Sequence, residues 1–233
     1  MRAMTLPAGT VTFVFSDVEG STELLKRLGD RYGELLSEHR RIVREVFGAH
    51  AGVEIDAQGD AFFFAFARAR DAAAAAVEAQ RAHAEHPWPD GERVRVRMGL
   101  HTGEPAVGDE GYLGLDVVRA ARICTAGQGG HVLLSEATKA LLGSSLPEGV
   151  SVHPMGERRL KDLDEPERVY ELVIEGVEQP EPTVVASAEH SRDDEDFDAQ
   201  AAELGKRLSA EIKANVLRSL EESLVARERK RRR

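Results

Sequence analysis

The period of apolar residues changes along the first hundred positions. Thr10–Phe15 is a β-branched and aromatic run, which predicts a strand. From Ser21 to Phe47, Leu24, Leu25, Leu28, Leu35, Leu36, Ile42, Val43 and Val46 recur at helical spacing. Two extended runs follow, around Gly52–Ile55 and Ala61–Phe66, separated by the turn-forming "DAQGD". Ala69–His86 is alanine-rich and helical, and "HPWPDG" stops it. Arg93–His101 ("RVRVRMGLH") alternates charge and apolar character and reads as a strand. The order β-α-β-β-α-β predicts an α+β fold: a ferredoxin-like antiparallel sheet backed by helices.

Further on, the pattern predicts a helix around Asp116–Thr125, a strand "HVLLS", a short helix "EATKALL", and a hairpin between Val150 and Val173. The composition then shifts. Residues 176–199 are acidic, proline-containing and aperiodic, as in a flexible linker. In 200–233, Leu204, Leu208, Ile212, Val216, Leu220 and Leu224 line one helical stripe ahead of "RERKRRR". One isolated helix cannot bury such a stripe, so it calls for the domain itself, a second copy or another protein. The expected organisation is a folded domain over 1–175, a linker over 176–199 and an amphipathic helix over 200–233.

Composition narrows the classes. Apolar residues make up 42% of the 233, enough for a core, and no apolar run is long enough to span a membrane. Met1–Pro7 has no long apolar region of the signal-peptide kind. The single cysteine, Cys124, fits a reducing cytosol, so a cytoplasmic protein is expected. A net charge of −10 argues against a general nucleic-acid binder.

The candidate chemistry starts at Asp17. It follows Phe13, Val14 and Phe15 with only Ser16 between, where a carboxylate is costly unless something positive meets it. "VEGST" then leaves backbone N–H groups at a helix start, which attract phosphate, and a carboxylate beside them suits Mg²⁺. Asp60 lies in the turn between the second and third strands. In this fold the third strand neighbours the first, so two acids from separate loops could hold metal ions together. Read alone, Asp17 and Asp60 are equally a strand-end cap and a turn residue, and Arg122 a solvated charge on a helix.

"FVFSDVEGST", "AQGDAFFFAF", "RVRMGLHTGE", "GYLGLDVVRAARI" and "ERRLKDLDEPERVYEL" together resemble the catalytic domain of class III nucleotidyl cyclases, from about Gly9 to Glu175. The first resembles the bacterial branch reading Phe-x-Asp-x-Glu-Gly-Ser-Thr. The resemblance implies a metal-dependent enzyme converting a nucleoside triphosphate to a 3′,5′-cyclic nucleotide and pyrophosphate. It implies that Asp17 and Asp60 bind two Mg²⁺ or Mn²⁺ ions, and that backbone around Val18, Glu19, Gly20 and Ser21 wraps the triphosphate. Arg122 matches the arginine that stabilises charge on the α-phosphate, and Lys161 the lysine that reaches the terminal phosphates. A homodimer with its active site at the interface is implied too.

Three positions depart from the family. Asp56 stands where adenylate cyclases place an adenine-reading lysine; it is an acceptor there, as the glutamate of guanylate cyclases is. Gly111 stands for a second base-reading aspartate, and Val118 for a transition-state asparagine. The metal and phosphate half is intact and the base-reading half altered. The accepted base is therefore open: ATP by family habit, GTP, or a pyrimidine nucleotide. The alternative is a weak or inactive cyclase-like domain that serves in nucleotide binding or dimerisation.

Overall fold

The computed structural model describes residues 6–108 and 111–180. The expected C-terminal helix and most of the expected linker lie outside the described residues. Strand β1 (Val11–Val18) leads into helix α1 (Ser21–Leu28) and, after a single 3₁₀ turn at Gly29–Arg31, α2 (Tyr32–Ala49). Sequence periodicity reads these two helices as one. Gly29, at φ +53 in the left-handed region, breaks the run.

Strands β2 (Val53–Gln58) and β3 (Ala61–Phe66) form the expected hairpin, followed by α3 (Ala69–Glu85) and β4 (Val96–Gly103). Next come a small hairpin of β5 (Ala106–Gly108) and β6 (Gly111–Leu113), helix α4 (Leu115–Thr125), β7 (Val132–Ser135) and α5 (Glu136–Leu142). A long hairpin, β8 (Val150–Arg158) and β9 (Glu167–Ile174), completes the described chain. The larger sheet runs β2-β3-β1-β4-β7-β9-β8, so β1 lies between β3 and β4, antiparallel to both.

Alternation along β1 assigns two faces. Val14 and Val18 join Phe62, Phe64, Met98 and Leu100 in a core with the buried residues of α1, α2, α3 and α5. Phe13 and Phe15 point the other way, to Phe63, Tyr112, Val117, Ala120 and Cys124, so among the described helices α4 alone covers that face. Asp17, two residues beyond Phe15, points to the α4 face, as does Arg97 between the inward-facing Val96 and Met98. No helix among the described residues is long and apolar enough to cross a membrane. Beyond β9, Gln179 accepts the Ile174 N–H at 2.8 Å and donates to Leu172 O and Gly130 O at 2.9 and 3.2 Å, so 176–180 fold back along the sheet.

Candidate active site

The buried Asp17 carboxylate is met by a cation of the chain itself. Antiparallel register sets Asp17 directly opposite Arg97. The guanidinium donates twice to Asp17 Oδ2, from Nε at 3.1 Å and Nη2 at 2.6 Å. Both side chains are under a tenth exposed. Burial still pushes the Asp17 carboxyl up to about 8, against the pull of Arg97. Asp60, hydrogen-bonded to it, pushes in the same direction.

Asp60 comes from the β2–β3 turn, as its sequence position implies, and its Oδ2 accepts the Val18 N–H at 2.9 Å. That bond ties the turn to the end of β1. Helix α2 holds the turn from behind. Arg40 Nε donates to Gly59 O at 2.9 Å, and His39 Nε2–H donates to Asp60 O at 2.9 Å. His39 Nδ1 lies 2.9 Å from His83 Nε2, while His83 Nδ1–H donates to Ala79 O at 2.7 Å. Both carbonyls require N–H donors, so two neutral imidazoles bring two protons to three contacts. Burial holds both rings neutral, lowering His39 to about 4 and His83 to about 3.

The segment after Asp17 forms a cradle. Glu19 N–H donates to Arg95 O at 2.9 Å, and Glu19 Oε1 accepts the Gly129 N–H at 3.0 Å. Gly20, at φ +66, caps α1 without a side-chain hydrogen bond, so the first N–H groups of the helix have no side-chain cap. Tyr32 is hydrogen-bonded to Ser21 and lies near Asp60; its phenol is pushed up to about 12, first by burial. Two acids at the rim of a sheet, beside a helix start, form an oxygen donor set of the kind that holds Mg²⁺ or Mn²⁺ jointly with phosphate oxygens.

The other expected site residues sit elsewhere. Arg122 lies on α4, 2% exposed, so it is no solvated surface charge. Its Nη2 donates to Asp162 Oδ2 at 2.5 Å. Lys161 is exposed, beside Asp162 in the β8–β9 turn. Asp56 sits where the β2–β3 register shifts, and its carboxylate accepts Ala57 N–H at 2.9 Å and Gln58 Nε2 at 3.1 Å. Gly111 opens β6 at φ +127, a conformation side chains rarely adopt, so its missing carboxylate is written into the backbone as well. Val118 is half-buried on α4. Sequence reading singled out none of Arg97, Tyr32, His39 and Asp162. The one signal was the cost of an unpaired Asp17, which called for a cation without saying which.

A family model, "Adenylate and Guanylate cyclase catalytic domain", matches residues 4–173. The chain belongs to that family. In this cyclase-family chain the order of elements and the two convergent aspartates occur within the matched segment. An uncharacterised protein of Mycobacterium tuberculosis is 35% identical over 168 residues, 71% of this chain and 56% of that protein. A receptor-type adenylate cyclase of Trypanosoma brucei brucei is 25% identical over 214 residues, 73% of this chain and 17% of that protein. The cyclase-family chain thus matches little more than half of the first relative's length and a small part of the second's. A structure of Trypanosoma brucei adenylate cyclases in their monomeric state superposes with a TM-score of 0.67 at 25% identity, covering 73% of this chain and 91% of that one. The guanylate cyclase domain of a Catenaria anguillulae protein, solved with GTP, shares the fold at 19% identity and a TM-score of 0.62, covering 71% and 97%.

Proposed function

We propose that the chain is a metal-dependent nucleotidyl cyclase that closes a nucleoside triphosphate to its 3′,5′-cyclic monophosphate and releases pyrophosphate. One observation carries this reading: Asp17 at the end of β1 and Asp60 in the β2–β3 turn share one spot at the sheet rim beside a helix start with no side-chain cap. Two Mg²⁺ or Mn²⁺ ions held there would supply Lewis acidity to the attacking ribose hydroxyl and the leaving pyrophosphate. Backbone N–H groups around Val18 to Ser21 bind the triphosphate. Arg122 places a planar, permanently charged donor at the α-phosphate, and Lys161 steadies the terminal phosphates. Little covalent work falls to the protein; positioning and charge dominate.

Val118 in place of an amide donor leaves a slow enzyme, since one such donor is worth roughly 100- to 1,000-fold in rate. Asp56 and Gly111 leave the base open, and ATP heads the candidates by family habit. The functional unit in this reading is a homodimer in a cyclic-nucleotide signalling role in the cytoplasm. The test is incubation with Mn²⁺ and, separately, ATP, GTP, CTP and UTP, with products read by mass spectrometry. One cyclic product is expected, and it vanishes in Asp17→Ala and in Asp60→Ala. Full activity in both variants sinks the metal assignment. Silence with all four nucleotides favours a nucleotide-binding module.

A further inference from the structure

Asp162 is a non-glycine residue at φ +62 in the turn that joins β8 to β9. Such a backbone costs free energy and persists where its surroundings hold it. Its carboxylate meets Arg122 at 2.5 Å, and the two differ sharply in exposure: 2% for the arginine side chain, 55% for the aspartate. The aspartate therefore lies on the solvent side of the arginine. Any phosphate that comes to the Arg122 guanidinium from solvent arrives where the Asp162 carboxylate stands. Both groups are oxyanions that take the same planar donors, so the two compete.

We propose that Asp162 is a gate on Arg122: it holds the arginine's charge while the site is empty and yields it to a phosphoryl oxyanion of the incoming nucleotide. The gate rests on the cyclase reading for what the oxyanion belongs to. The setting is half-exposed, which places the gain from removing the Asp162 charge at the lower end for a hydrogen bond to a charged group, about tenfold.

The experiment titrates inorganic pyrophosphate into the full chain by calorimetry, for wild type, Asp162→Asn, Asp162→Gly, Arg122→Met and the double variant D162N/R122M. Asn and Gly both accept positive φ, so neither single change at 162 strains the turn. Pyrophosphate is expected to bind Asp162→Asn and Asp162→Gly about tenfold tighter than wild type. The gain should disappear when Asp162→Asn is made in the Arg122→Met background. Unchanged or weaker binding in both single variants, or a gain that survives without Arg122, overturns the gate. With a nucleotide that turns over, KM should fall without loss of kcat. A fall in kcat at constant KM would instead make Asp162 an orienting group and end the proposal. Silence with every nucleotide, alongside tighter pyrophosphate binding, refutes the cyclase reading and keeps the gate. Turnover with unchanged pyrophosphate binding does the reverse.

Discussion

The buried titratable groups of this fold pull its pH dependence in opposite directions. Asp17 is raised from 3.8 to about 8, so the folded chain holds a proton that the unfolded chain has released. That contribution is complete below 3.8 and is lost as pH rises through 8. His39 and His83 are lowered from 6.5 to about 4 and about 3, so the unfolded chain takes up protons first. Their contribution is complete above 6.5 and is lost as pH falls toward those values. Each proton is worth about 1.4 kcal/mol per pH unit. From pH 8 down to 6.5 the histidines are silent and Asp17 makes stability rise. Below 6.5 the two histidines oppose Asp17 and the buried Glu171, whose carboxyl burial also raises, so the rise ends there. Urea midpoints of the metal-free protein should therefore climb from pH 8 to 6.5 and climb no further below it, and Asp17→Asn should make the limb between 6.5 and 8 shallower. A midpoint that climbs steadily through pH 8 in the wild type contradicts the Asp17 assignment.

Helix α4 owes its position to one missing methyl group. A Cβ on Gly99 of β4 would stand 2.2 Å from Cys124 N and 2.8 Å from Ala120 O, against backbone that has nowhere to go. Gly99→Ala is expected to cost about 1–3 kcal/mol by urea denaturation and to move Arg122 with the helix. Activity should fall further than the loss of folded protein explains; wild-type stability and activity in this variant would show that the helix tolerates a lift. Much of this level was legible in the sequence. Hydrophobic period gave the main strands and helices, and the β1–β3 adjacency of the fold brought Asp60 to Asp17. What stayed hidden depends on register. "RVRVRMGLH" carries three equivalent arginines, and only the Asp17↔Arg97 pairing selects one of them. The three-residue strands β5 and β6 are too short for alternation to declare them. Arg122 looked like a solvated charge because its cover, Asp162, is 40 residues away.

The strand order separates the two halves of the proposed site. Asp17 and Asp60 hang on β1 and the β2–β3 turn, whereas Lys161 and Asp162 sit in the turn after β8. Strands β4 and β7 lie between β1 and β9, three strand spacings or roughly 14 Å across the sheet. In the proposed homodimer, Lys161 reaches the phosphate beside Asp17 from a second copy of the chain. A second copy, turned about a two-fold axis, can present its α4 and β8–β9 turn to the aspartates of the first, and receives the same in return. The arrangement predicts complementation between silent variants. Asp60→Ala lacks one half and Arg122→Ala the other. In a mixed dimer one site carries both defects and the other carries neither. Equal amounts of the two silent chains, unfolded together and refolded, should recover roughly a quarter of the wild-type sites, since half of random dimers are mixed. Recovery of cyclic product at that level supports a shared site. Continued silence in a mixture shown by mass spectrometry to contain mixed dimers would mean that each chain assembles its site alone.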